Sequence, residues 1–209
     1  MKFPKLIGFD MDGVIIDSLE SMKSAWELTC QKYLINIPFD NFKKNIGKPL
    51  GVILRELEVD HSIRHEVSRT YIDSTRLFSD KIKTEQQIVD FIFEATEAGV
   101  QCVIITSKPR ERAQEISREL GLAAINLICP EDTGRGKPYG DPLIKANLAT
   151  GIGKSNSLYI GDMESDYLSA CAAGWKFAYA AWGYGYIGRN DIAYERLDKP
   201  EDVWKLLKR

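Results

Sequence analysis

Apolar residues fall into two rhythms along this chain, and the switch between them marks out its elements. Short unbroken runs occur at Leu6-Ile7-Gly8-Phe9, at Val100 with Cys102 to Ile105, and over 124–129, 157–160 and 176–181. Runs of that length without alternation fit strands of a parallel sheet covered on both faces. Between them apolar positions recur every three or four residues. They predict helices over 85–98 and 109–120, a helix capped by Asp141 with Pro142 at its first position, and a helix through Leu168 and Cys171. Gly99, Gly121 and Gly174 stand where three of these helices should stop. Strand and helix alternate, so the expected fold is α/β, a doubly wound parallel sheet with right-handed crossovers.

One stretch breaks that alternation. After Asp17 the apolar positions Leu19, Met22, Trp26, Cys30 and Tyr33 follow helical spacing. From there to about Asp80 the pattern stays helical, with breaks at Ile37-Pro38 and Gly47-Lys48-Pro49 and no strand. The expected organisation is an α/β core made of 1–17 and 81–209, with 18–80 inserted as a helical unit. Asp17 and Ser18, with Glu20 in the first turn, offer an N-cap for the first of these helices; a direct part in chemistry is equally open to them.

The composition places this fold among soluble globular proteins: 44% of the 209 residues are hydrophobic and 28% charged. A formal net charge of -2 leaves no electrostatic footprint for a nucleic acid or an anionic membrane, so an anionic ligand must be met by a local cluster of cations. Cys30, Cys102, Cys129 and Cys171 are far apart and form no C-x-x-C pair, which predicts free thiols in a reducing compartment. The first apolar run is too short for a signal peptide and is interrupted by Asp10, and no run approaches the ~18 residues of a membrane span. The expected location is cytoplasmic.

The first strand delivers two aspartates, Asp10 and Asp12, one residue apart. In a strand such residues point to the same side, and two carboxylates held that close repel unless a cation lies between them, which points to a metal site. Gly13 lets the chain turn sharply directly afterwards. Ligand crevices in open parallel sheets lie at the carboxyl ends of the strands. Thr106 and Ser107 end the second strand, Lys137 lies in the loop after the third, Asp162 ends the fourth, and Asp166 opens the helix after it. One fold rule therefore gathers all of them at a single edge.

These stretches carry a resemblance. Asp-x-Asp-Gly-Val-x-x-Asp-Ser from Asp10 is similar to the first motif of the haloacid dehalogenase superfamily. ITSKP, KPYGDPL and YIGDMESD resemble its second, third and fourth motifs, in matching order. Trp182-Gly183-Tyr184-Gly185 and Ile46-Gly47-Lys48-Pro49-Leu50 are similar to its phosphoglycolate phosphatase-like branch. Ser107 stands where that branch often has asparagine, Gly140 where a second proline is usual, and residues 80–84 replace a common Tyr-Pro-Gly. These departures touch the substrate rather than the core chemistry.

The resemblance implies a Rossmann-like core with a mobile helical cap over 18–80, and a Mg2+-dependent phosphatase acting on a small phosphorylated metabolite, with phosphoglycolate favoured. Asp10 would be the nucleophile and form an aspartyl-phosphate, with Asp12 as general acid and base. The metal would be held by the Asp10 carboxylate, the Asp12 carbonyl and the Asp162 carboxylate, with Asp166 a direct ligand or a support. Lys137 would balance charge, and Thr106 and Ser107 would hold phosphoryl oxygens. Lys48 is the insert residue expected to meet a second anionic group. Lys108 reads as a solvated loop lysine, and His61 and His65 as surface residues despite their i, i+4 spacing. Alternatives are a phosphosugar mutase on the same scaffold and a catalytically silent binding domain; Asp12 disfavours a dehalogenase, which has no leaving alkoxide to protonate. A monomer or homodimer is expected, with no nucleic acid or membrane partner.

Overall fold

A computed structural model describes residues 4–188 and 193–207. Its centre is a parallel sheet of six strands in the order β5-β4-β1-β6-β7-β8. These are β1 (Leu6–Phe9), β4 (Gln101–Ile105), β5 (Asn126–Ile128), β6 (Ser157–Gly161), β7 (Lys176–Ala180) and β8 (Glu195–Leu197). Five of the six lie where the apolar runs predict. The sixth, Glu-Arg-Leu, is too short and too polar to give a signal, and the 3-10 helix Pro200–Leu206 behind it is likewise new.

Strand β1 occupies the middle because all four of its residues are buried. Ile7 and Phe9 enter the cluster on one face with Ile88, Phe91 and Ile92, while Leu6 enters the other with Val103, Tyr159 and Trp175. Burying Leu6, Ile7 and Phe9 stabilises the sheet by roughly 1.5–3 kcal/mol each. Phe9 pairs with Ile104 on one side and Ile160 on the other, so β1, β4 and β6 reach the same edge together. Helices α5 (Gln86–Glu97), α6 (Arg110–Glu119), α7 (Asp141–Thr150) and α8 (Glu164–Ala173) form the crossovers. Helix α7 differs by one position from its expected start: Gly140 is the cap residue and Asp141 the first helical one, its carboxylate pairing with Arg135.

Between the first two sheet strands run α1 (Leu19–Tyr33), α2 (Phe39–Lys43), α3 (Leu50–Glu56) and α4 (Arg64–Leu77). They bury a cluster of their own around Trp26, Phe42, Leu54 and Val67. The chain enters and leaves this helical stretch through a two-residue antiparallel ribbon, β2 (Ile16–Asp17) with β3 (Lys83–Thr84). Two residues carry no period, which is why the sequence reads as helix directly after Asp17. The Asp17 carboxylate accepts from the Leu19 N–H at 3.1 Å and so caps α1. Ser18 makes no side-chain cap bond. His61 and His65 are exposed, and His61 precedes α4 rather than lying on it. All four cysteines are free thiols. Among the described residues no helix is long and apolar enough to cross a membrane.

Candidate active site

The edge where β1, β4 and β6 end holds a buried acidic cluster. One carboxylate oxygen each from Asp10, Asp162 and Asp166 lie within 4.8 Å of one another. Asp10 leaves the end of β1, and its Oδ1 accepts from the Met11 N–H at 2.8 Å. Lys137 reaches in from the loop after β5, its ammonium 2.9 Å from Asp10 Oδ1 and 2.6 Å from Asp166 Oδ1. Asp166, in the first turn of α8, has both oxygens occupied. Oδ1 takes Lys137 and the Tyr159 hydroxyl, and Oδ2 takes the backbone N–H groups of Asp162 and Met163. Asp162 differs. Its Oδ2 accepts from the Tyr184 N–H at 2.7 Å, while its buried Oδ1 has no hydrogen-bond partner.

Two glycines keep room for that carboxylate. A Cβ on Gly13, which sits at φ +85°, or on Gly183 would lie on top of the Asp162 side chain. Local conformation and close approach both demand glycine at 13, and close approach alone demands it at 183.

Burial pushes the Asp10 carboxyl up to about 7, with Asp166 and Asp12 adding to the rise and Lys137 opposing it. Burial also raises Asp162 well above the usual carboxylate range, and the charges of Asp166 and Asp10 raise it further. Burial works against the Lys137 ammonium, yet Asp10 and Asp166 hold it above its ordinary value. One ammonium does not balance this many buried acids.

Asp12 points into the same crevice and is held by groups the sequence leaves ambiguous. Ser18 Oγ donates to Asp12 Oδ1 at 2.5 Å. The Ser18 N–H in turn donates to the Tyr184 hydroxyl at 2.5 Å. Lys108, expected in solvent, is instead nearly buried, its ammonium 3.1 Å from Asp12 Oδ1. The loop after β4 could send that side chain either way, and only the carboxylate opposite decides it. Tyr184, marked in the sequence only as part of Trp182-Gly183-Tyr184-Gly185, also belongs to the site. Its N–H holds Asp162 and its phenol holds the start of α1, a double duty visible only once β7 and β1 are neighbours of β6.

Thr106 is buried at the end of β4, and its Oγ1 accepts from the Lys108 N–H at 3.1 Å, which leaves its own proton to donate. The Ser107 hydroxyl is spent on the Gly47 carbonyl of the helical stretch at 2.6 Å. What Ser107 still offers is its backbone N–H. Lys48 lines the same cavity, but Glu56 Oε2 at 2.5 Å and Asn45 Oδ1 at 3.0 Å already take its ammonium. The cavity has Asp10, Asp12, Lys108 and Lys137 on its floor and helical side chains as its wall.

A sequence profile of haloacid dehalogenase-like hydrolases matches residues 7–180. The chain belongs to that family. It is therefore an enzyme of a hydrolase family, and curated relatives carry phosphatase names. A phosphoglycolate phosphatase of Xanthomonas campestris is 25% identical, covering 98% of this chain and 97% of that one. An N-acetylmuramic acid 6-phosphate phosphatase of Pseudomonas aeruginosa is 29% identical, covering 90% and 85%. Among solved structures, a hydrolase from Pseudomonas syringae superposes with a TM-score of 0.88 at 21% identity, covering 98% of each chain, and so shares the fold. Relatives at similar identity carry names for very different phosphoesters, so family membership leaves the substrate open.

Proposed function

We propose that this hydrolase is a Mg2+-dependent phosphatase that cleaves a small phosphorylated metabolite through an aspartyl-phosphate on Asp10. The observation that carries the reading is the orphaned Oδ1 of Asp162 beside the Asp10 carboxyl, a buried pair of hard oxygen donors with too little positive charge around it. Those donors fit a hard divalent cation, which the Asp10 and Asp162 carboxylates and the Asp12 backbone carbonyl would hold. When bound, Mg2+ supplies the charge that lets a phosphate dianion approach an ionised Asp10.

Asp166 is better placed as a positioning residue than as a ligand, since its four contacts fix Lys137 and the Asp162–Met163 turn. Asp10 attacks phosphorus as the bond to the leaving oxygen breaks. Asp12 gives that oxygen its proton. With Oδ1 engaged by Ser18 and Lys108, Oδ2 is the oxygen left to carry it. Asp12 then takes a proton from the water that attacks the phosphoryl group, which breaks the bond to Asp10 and releases inorganic phosphate. The Thr106 hydroxyl, the Ser107 N–H and Lys137 hold phosphoryl oxygens.

We place the helical stretch 18–80 over this site as a cap, hinged at the β2–β3 ribbon and joined to the floor by the Ser107–Gly47 bond. A reducing, cytoplasmic setting suits the free thiols. The test is phosphate release from a panel of phosphomonoesters with and without Mg2+, phosphoglycolate and a chromogenic ester included. Mg2+-dependent release is expected; no release from any ester would favour the catalytically silent binding domain instead.

A further inference from the structure

The wall of the cavity says more about the substrate than its floor. Resting on the phosphatase reading above, we infer that the leaving group is a short, uncharged, largely apolar alcohol rather than one bearing a second anion. The wall is built from Met22, Phe42, Ile46, Leu50, Ile53 and Tyr71, all of them buried. None carries a charge. Lys48 is the cation of the helical stretch that reaches this cavity, and Glu56 and Asn45 hold it. The two ammonium groups of the floor are held more firmly than Lys48, whose pair is part-exposed: Lys108 by Asp12, and Lys137 by Asp10 and Asp166.

Mg2+ and these two lysines only match the charge of the four aspartates, so nothing is left over for an anion beyond the phosphate dianion itself. A further carboxylate or phosphate on the leaving group would lie against six apolar side chains with no free cation among the described residues that line the cavity, and a buried charge without a partner is strongly disfavoured. A hydrocarbon leaving group gains there instead. Tyr71 adds one polar element: its hydroxyl makes no hydrogen bond among the described residues, and it lines the same cavity as Asp12. Held neutral by burial, it can donate to one oxygen of an uncharged leaving group.

Isobutyl phosphate and 2-phosphoglycolate make a matched pair, the two methyls of one replacing the two carboxylate oxygens of the other. The Mg2+-loaded protein should show a kcat/KM at least about tenfold higher for isobutyl phosphate, a modest part of what an unpaired buried carboxylate costs. Ile53→Arg should reverse the order by lowering KM for 2-phosphoglycolate and raising it for isobutyl phosphate. Faster hydrolysis of 2-phosphoglycolate by the unaltered protein overturns the inference and leaves the phosphatase reading standing. Absence of hydrolysis of both esters and of the chromogenic one overturns the phosphatase reading and the inference with it.

Discussion

The floor and the wall of the same cavity follow opposite rules. On and beneath the floor, four aspartates and two lysines are almost wholly removed from water, and each side chain is fixed by a charge or a backbone N–H. In the wall, aromatic and aliphatic side chains pack by area and shape around Trp26 and Phe42, whose rings sit 4.8 Å apart. Charge in a low-dielectric site is costly unless partnered, so the floor admits few alternatives. Apolar packing tolerates volume-conserving exchange, so the wall can drift and change what the enzyme accepts.

The largest test of that contrast is removal of a floor cation. Lys137→Met leaves Asp10 and Asp166 buried without their partner, and should cost about 3–5 kcal/mol in denaturant unfolding of the metal-free protein. A loss under 1 kcal/mol would mean the floor is no more tightly specified than the wall.

Titration reads the same imbalance. The Asp10 carboxyl is raised from 3.8 to about 7, so the metal-free fold binds a proton there that the unfolded chain has lost. Its stabilisation is complete below the unfolded value and disappears as pH rises through the folded one. At about 1.4 kcal/mol per pKa unit, metal-free stability should fall by a few kcal/mol across that window, read as a falling Tm. Saturating Mg2+ should remove most of the fall; a Tm independent of both pH and Mg2+ would mean the acidic cluster is not short of positive charge.

Smaller effects come from groups that aim rather than react. Ser18→Ala frees Asp12 Oδ1 from one of its two holders and should lower kcat about tenfold with KM little changed, since a misaimed general acid forfeits part of a 10²–10⁴-fold contribution. Smallest is Ser107→Ala, which removes the bond to Gly47 that ties floor to wall; about 1 kcal/mol of stability and a raised KM at similar kcat are expected. A loss confined to kcat would instead put the Ser107 hydroxyl on the phosphate.

The same contrast explains what the sequence could say. Asp10, Thr106, Lys137, Asp162 and Asp166 are legible because a parallel sheet brings its strand ends to one edge whatever the side chains between them. Lys108, Ser18 and Tyr184 are not, since each is placed by a partner distant in the chain or across a turn: Asp12 for the first two, Asp162 and the start of α1 for the third. Helical periodicity located α1, but not that Lys48 would turn to Glu56 rather than to the cavity. Ribbon β2–β3 and strand β8 escaped because two or three residues are too few to show a period.

The central claim is that Asp10 itself takes the phosphoryl group. Acid quenching during turnover of the chromogenic ester with Mg2+, followed by mass spectrometry of the peptide that contains Asp10, tests it most directly. The account predicts the mass of one added phosphoryl on that peptide, absent without Mg2+ and absent in Asp10→Asn, which should also lose at least about 10³-fold in kcat. Hydrolysis at an undiminished rate in Asp10→Asn would contradict it.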